Sequence, residues 1–277
     1  MGGTPPQPQQ HYLNENMHFH LRGYYGHQNT GDDALAAATV FGLEQIAPNS
    51  VYRIAAPRQL VVPVASKMAS FLSERQRFRG QFKLMAMSQA LRCGWTVFGG
   101  GSLIRDVTSC RFLKRMTQLV SFLTSTGHRV AMLGMGVGPV QTKEGCILAR
   151  SLISKATVFT VRDIRSADLC QEMGLPRPPV VGDIAMLLTH PEYPPIFRST
   201  RVKSSNKPIL GIAVCHYHRH LGCGDDLDNR CLDKIALALR ELITNRPCQL
   251  VFFEFNGHPQ RGDRLAIERI RASLGDC

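Results

Sequence analysis

No apolar run in the sequence approaches the roughly 20 residues needed to cross a bilayer. The first residues, Met1 to Gln10, lack the apolar core of a signal peptide; they are rich in Pro and Gln and read as a disordered tail. Cys-x-x-Cys pairs are missing among the nine cysteines. That, with an odd count and no leader, suggests reduced thiols in a cytosolic protein. Aromatic residues are scarce, at 7%, and no ladder of aromatics interleaved with arginines offers a stacking platform, so nucleic acid is not the expected partner. No Gly-x-x-x-x-Gly-Lys-Ser/Thr segment occurs, and no Gly-x-Gly-x-x-Gly is followed by a suitably placed acid. That argues against nucleoside triphosphatases and nicotinamide enzymes.

Acidic residues are the scarcer charge: 21 against 33 Lys and Arg in 277 residues, for a net charge of +12. The excess suits phosphate, carboxylate, an anionic membrane face or simply a solvated basic surface, and does not choose among them. Hydrophobic residues, at 44%, are sufficient for a buried core.

Short apolar or β-branched runs alternate with longer amphipathic ones. Strands are expected at 18–22, 51–55, 95–98, 130–133, 158–161, 180–181, 209–214 and 250–255. Helices are expected at 33–46, 66–91, 111–124, 146–156, 166–173, 232–244 and 264–272. Strands separated by helices imply parallel pairing with right-handed crossovers, an α/β architecture. Residues 189–207 break the rhythm with Pro191, Pro194, Pro195 and several serines, which marks a linker. The expected organisation is a tail over 1–17, an N-terminal α/β domain over 18–188, that linker, and an incomplete C-terminal α/β domain over 208–277. Two helices cover little more than one face of the second sheet, so it should be the less stable part.

Three glycine-rich segments follow expected strands. The first runs from Gly23 through Gly26, Asn29, Gly31 and Asp32 to Asp33; Asp32 or Asp33 would cap the helix that follows. The second is Gly99-Gly100-Gly101-Ser102-Leu103-Ile104-Arg105-Asp106, and the third is Gly134-Met135-Gly136-Val137-Gly138-Pro139. Each is either a plain turn or a ligand cradle, because glycine lets backbone approach a ligand and open α/β sheets bind ligands at strand carboxyl ends. Arg162, at the end of the fifth expected strand, can give a carboxylate or phosphate two parallel hydrogen bonds, or serve as an ion-pair partner. Asp163 reads as a helix cap, and Asp183 is a further strand-end carboxylate. Cys215, His216, His218, His220 and Cys223 form a dense cluster. If extended, its period of two would put the histidines on one side, as metal ligands or as lining of a cleft edge. Arg75, Arg77, Arg79 and Lys83 read as a solvated face or a contact with an anionic membrane.

Four segments, taken in order, resemble the polysaccharide pyruvyltransferase family: Gly23 to Asp32, Gly99 to Ser109, Gly134 to Pro139, and Thr160 to Ser166 followed by Leu169 and Gly174. The resemblance implies a glycosyltransferase-B-like pair of Rossmann-type domains. It also implies transfer of pyruvate from phosphoenolpyruvate to two sugar hydroxyls, on a polysaccharide or its lipid-linked precursor, to form a ketal. On that reading Arg162 holds the phosphoenolpyruvate anion, and Asp32 and Asp106 bind or activate sugar hydroxyls. Asn29 and Ser102 add hydrogen bonds, with Gly26, Gly31, Gly100, Gly101, Gly136, Gly138, Asp183 and His216 contributing to substrate binding. Neither metal nor cofactor is required, and the expected location is cytoplasmic, at the inner face of the membrane if peripheral. The family also carries a late arginine–histidine motif, which nothing after Ile209 matches, so a fragment or an inactive version is one expectation. A sugar-nucleotide glycosyltransferase and a non-catalytic glycan- or partner-binding domain are the competing readings.

Overall fold

The computed structural model describes residues 16–65, 68–72, 80–107, 109–193, 207–220, 224–260 and 262–275. Two compact units are found: Met1–Tyr25 with Ala34–Ile196, and Gly26–Asp33 with Phe197–Cys277. The segment Gly26–Asp33 thus groups with the second unit, although the sequence reading assigned it to the first.

The first unit is built on a six-stranded sheet: β1 (His18–Arg22), β2 (Val51–Ile54), β3 (Ala69–Phe71), β4 (Trp95–Gly99), β5 (Arg129–Met135) and β6 (Val158–Val161). Its order is β3-β2-β1-β4-β5-β6 and every pairing is parallel. This is the doubly wound arrangement, in which the strand order reverses between β1 and β4. The helices are α1 (Thr30–Ile46), whose first residues to Asp33 group with the second unit, α2 (Gln81–Leu91), α3 (Arg111–Ser125), α4 (Lys143–Ile153) and α5 (Ile164–Glu172).

Strand alternation sorts the core into two layers. Phe19, Leu21, Tyr52, Ile54 and Val97 pack with Leu35, Val40 and Leu43 of α1. Phe98, Val130 and Met132 pack with Leu113, Met116, Val120 and Leu123 of α3 and Leu152 of α4. Sheet faces buried on both sides are what parallel strands require.

The second unit pairs β7 (Ile209–Ala213) with β8 (Gln249–Phe253) in parallel. After β7 come a single turn, α6 (Tyr217–His220), and the crossover helix α7 (Asp225–Asn245); α8 (Arg264–Leu274) follows β8. One cluster, Ile212, Leu232, Ala236, Leu239, Ala266, Ile270 and Leu274, forms its core.

Three expectations are corrected. The single helix over 66–91 is replaced by β3 and the shorter α2. Val180–Val181 is not a strand of its own; Val180 makes one parallel bridge to Val161. Residues 217–220 are helical rather than extended, because the Asp228 carboxylate accepts from the backbone N–H groups of His218 (2.8 Å) and Arg219 (2.7 Å). The tail before Asn16, Arg75, Arg77, Arg79, Cys223 and most of the expected linker lie outside the described residues.

Candidate functional site

In a parallel sheet all carboxyl ends share one edge. In the first unit that edge carries the second and third glycine segments, which run side by side as a continuation of β4 and β5. Gly100 N–H donates to Leu133 O (2.8 Å), Gly136 N–H to Gly101 O (3.0 Å) and Gly138 N–H to Ile104 O (2.8 Å). Gly100 has φ +74°, a left-handed conformation that disfavours side chains. Beneath this loop the buried Tyr25 hydroxyl accepts from Gly99 N–H (3.1 Å) and lies 3.2 Å from Gly99 O.

Arg162 follows β6, and its backbone N–H donates to Met135 O (3.1 Å). Its Nη2 donates to Ser102 Oγ at 2.9 Å. Two carboxylates flank the guanidinium: Asp183 Oδ2 lies 3.4 Å from Nη1 and Asp163 Oδ2 lies 3.4 Å from Nε. Each carboxylate uses its other oxygen as a cap. Asp183 Oδ1 accepts from Ala185 N–H (3.0 Å) at the start of a short 3-10 helix, Ile184–Thr189. Asp163 Oδ1 accepts from Ser166 N–H (2.7 Å) at the start of α5. That cap, with help from Ser166 Oγ and the Arg162 charge, holds the Asp163 carboxyl below the usual carboxylate range. The carboxylates are thereby fixed, and they orient the guanidinium without burying it: 34% of the Arg162 side chain stays exposed.

Gly136 makes this arrangement possible. A Cβ there would lie 2.8 Å from Ser102 Oγ and 3.1 Å from Arg162 Cζ. Even a methyl group would push apart the hydroxyl and the cation. What stands at the sheet edge is a positioned, partly exposed guanidinium beside a hydroxyl and a bare backbone. It can present two N–H groups to an oxyanion.

Asp106 sits elsewhere. It is 6% exposed, and its carboxylate accepts from Gln141 N–H (2.8 Å), Thr142 N–H (2.8 Å) and Thr142 Oγ1 (2.6 Å). Burial pushes its pKa up, but the Thr142 and Gln141 donors outweigh this and leave it below the usual range. A carboxylate so occupied anchors the loop leading into α4. The expected role with a sugar hydroxyl does not fit this geometry.

In the second unit, Asn29 rather than Asp32 or Asp33 caps α1: its Oδ1 accepts from Gly31 N–H (3.0 Å) and Asp32 N–H (3.4 Å). Asp33 Oδ1 accepts from Gly26 N–H (2.8 Å). Burial raises the Asp33 pKa against that hydrogen bond and the nearby His27. The segment is tied to the end of β8, with Thr30 N–H donating to Phe255 O (2.8 Å) and Gly257 N–H to Gln28 O (2.8 Å). His216 is buried close to Asp228 and Asp225. Among the described residues no group of three His, Cys, Asp or Glu side chains is placed to hold a metal ion.

Of the sequence candidates in the first unit, Gly136, Ser102, Arg162 and Asp183 come together, and Asp106 does not join them. Sequence reasoning allowed an ion pair at Arg162 without naming Asp163 as its partner, and missed Tyr25 as the support of the glycine loop. The adjacency of Asp163 to the strand-end arginine was a usable signal for the first; the second had none.

The sequence model described as polysaccharide pyruvyl transferase matches residues 29–241, a span that holds every residue of the Arg162 cluster. Among curated proteins none matches the chain. The crystal structure of UDP-GlcNAc 2-epimerase from Neisseria meningitidis, bound to UDP-GlcNAc, is similar with a TM-score of 0.52 at 12% identity. That likeness covers 95% of this chain and 71% of the epimerase chain. A proposed UDP-N-acetylglucosamine 2-epimerase from Listeria monocytogenes gives a TM-score of 0.49 at 11% identity, over 96% and 67% of the two chains. At such identity the Neisseria likeness shows fold alone, a mixed α/β, glycosyltransferase-B-like fold.

Proposed function

Because the chain belongs to the polysaccharide pyruvyl transferase family, we propose that it transfers pyruvate from phosphoenolpyruvate to two hydroxyls of a sugar, in a polysaccharide or its lipid-linked precursor, forming a cyclic ketal. The observation that carries this reading is the Arg162 guanidinium, oriented by Ser102, Asp163 and Asp183 at the carboxyl edge of the sheet and given room by Gly136.

The donor carries a phosphate and a carboxylate, either of which matches two parallel N–H groups of a guanidinium. In the reaction a proton adds to the methylene carbon of phosphoenolpyruvate and a sugar oxygen bonds to C2. The second sugar oxygen then bonds to C2 as the C2–O bond to phosphate breaks. Of the two hydroxyl protons, one ends on the new methyl group and one leaves with phosphate, so no oxidant or reductant is needed. Negative charge grows on the departing phosphate, and a fixed cation that needs no reorganisation stabilises that change. Asp163 and Asp183 are positioning residues on this account.

The test uses the full chain with phosphoenolpyruvate and a panel of hexosides with free hydroxyl pairs, reading inorganic phosphate together with the ketal product by mass spectrometry. Ketal formation that falls about a hundredfold or more in Arg162→Ala at unchanged unfolding temperature is the expected result. Phosphate release without ketal, or a ketal yield indifferent to Arg162, would sink the proposal.

A further inference from the structure

Charge is segregated along the first unit in a way the Arg162 cluster does not use. From Leu84 to Lys143 the sequence holds seven Lys and Arg and one acidic residue, Asp106, which is buried. The helix α3 carries no acidic residue at all. Its exposed surface near the start is Arg111, Phe112, Lys114 and Arg115, and the loop before it exposes Arg105 and Val107. Phe112 is 50% exposed and Val107 44%, while Phe122, further along the helix, is 42% exposed.

Two features of this surface run against local stability. Three cations lie within the first five residues of α3, where the helix dipole and free N–H groups favour anions. The preceding Cys110 makes no side-chain capping bond, and no acidic residue in the first turn offsets the charges. Apolar side chains are also left in water between those charges, although Leu113 and Met116 beside them are buried. Cations alone would suit any polyanion. Cations interleaved with a half-exposed phenylalanine and a valine suit a surface that is anionic at its face and apolar just beneath.

We propose that the start of α3 and the loop before it form a docking surface for an anionic lipid bilayer. Because β4 ends at the carboxyl edge of the sheet, α3 begins at that same edge, with Arg105 three residues beyond Ser102. Docking would hold this edge at the membrane face, so that molecules carried in the bilayer meet it by lateral diffusion. Nothing in the inference depends on which group is transferred. It differs from the membrane contact expected around Arg75 to Lys83, which rests on another part of the chain.

The experiment compares co-sedimentation of the full chain with vesicles of pure phosphatidylcholine and with vesicles in which about a third of the lipid is phosphatidylglycerol. The expected result is binding to the anionic vesicles that weakens as salt rises, with little binding to the neutral ones. The triple variant Arg111→Glu, Lys114→Glu, Arg115→Glu should lose about a hundredfold in affinity, at about fivefold per cation. Its acidic residues now suit the helix dipole, so its unfolding temperature should stay level or rise, which separates lost docking from lost folding. Phe112→Ser should weaken binding severalfold. Equal binding of wild type to both vesicle types, or undiminished binding by the triple variant, would overturn the proposal. Tighter retention of single-stranded RNA, at salt that releases the vesicles, would reassign the surface to nucleic acid.

Discussion

In the first unit, β4 is buried from Thr96 through Gly99, and five of the seven residues of β5 are buried. In the second, β7 buries Ile212 alone and no residue of β8 is fully buried. Ile209, Phe253 and Phe255 are about half exposed there. The same local grammar of strand, helix and parallel strand produces both. The difference lies in how many neighbours each strand has: six strands give β1, β4 and β5 a partner on each side and helices on both faces, and two strands do not. Burial, and with it resistance to opening, therefore belongs to the sheet as a whole and not to the strand sequence.

A pair of matched truncations should separate the two units by the largest margin. Leu21→Ala, in β1 at 0% exposure, should cost about 3–5 kcal/mol of stability, whereas Leu250→Ala, in half-buried β8, should cost about 1 kcal/mol. Urea unfolding followed by fluorescence of Trp95, the one tryptophan and a β4 residue, reports the first unit alone, and far-ultraviolet dichroism reports both. Hydrogen exchange should be faster in β7 and β8 than in β1, β4 and β5. Equal protection, or equal costs for the two leucines, would mean that the second unit is covered as well as the first.

Acid should act on the first unit before the second. His20 is 1% exposed in the middle of the sheet, with Nδ1 3.4 Å from Thr96 Oγ1, which in turn lies 3.0 Å from His128 Nε2. Burial first, and then the charges of Arg22, His128 and Arg53, lower its pKa to about 3. The native state thus holds the neutral ring, while the unfolded chain binds a proton near pH 6.5. Stability present above that value is lost as pH falls through the window from about 6.5 to about 3, by a few kcal/mol in total. The Trp95 signal should follow this loss, and a His20→Gln variant should flatten it. A stability profile level between pH 7 and pH 4 would show that His20 is solvated.

Asp106 should give a smaller, local effect. Asp106→Ala leaves three donors of the 141–142 loop without their acceptor and should cost about 1–3 kcal/mol. Its depressed pKa places the matching pH effect below the ordinary carboxylate range, lost only as pH falls through the folded value. If Asp106 instead touched substrate, the alanine variant would lose turnover at unchanged stability.

Much of this organisation is legible from sequence periodicity, since seven of the eight expected strands coincide with observed ones to within a residue or two. Where the reading fails, a local interaction wins. Ala69–Phe71 is too short for its alternation to register, so β3 was absorbed into an apparent helix. The start of α7 is polar, with Asp225, Asp226 and Asp228, so apolar spacing places the helix seven residues late. His20 shows the opposite error: alternation in His18-Phe19-His20-Leu21-Arg22 marks a polar face, yet His20 is buried. At the candidate site, Arg162 and the glycines are visible in the sequence as types. That Gly136 is the gap into which Ser102 and Arg162 fit depends on β5 and β6 lying side by side, which no local pattern encodes.

On the proposed reading Arg162, in the space Gly136 leaves, holds the anionic donor. Titration calorimetry of the full chain with phosphoenolpyruvate, comparing wild type, Arg162→Ala and Gly136→Ala, tests it most directly. The account predicts binding by wild type and a loss of about ten- to a hundredfold in Arg162→Ala, the scale of a charged hydrogen-bonded contact. Gly136→Ala should show a comparable loss, although it removes no polar group. Wild-type affinity in both variants would contradict the account.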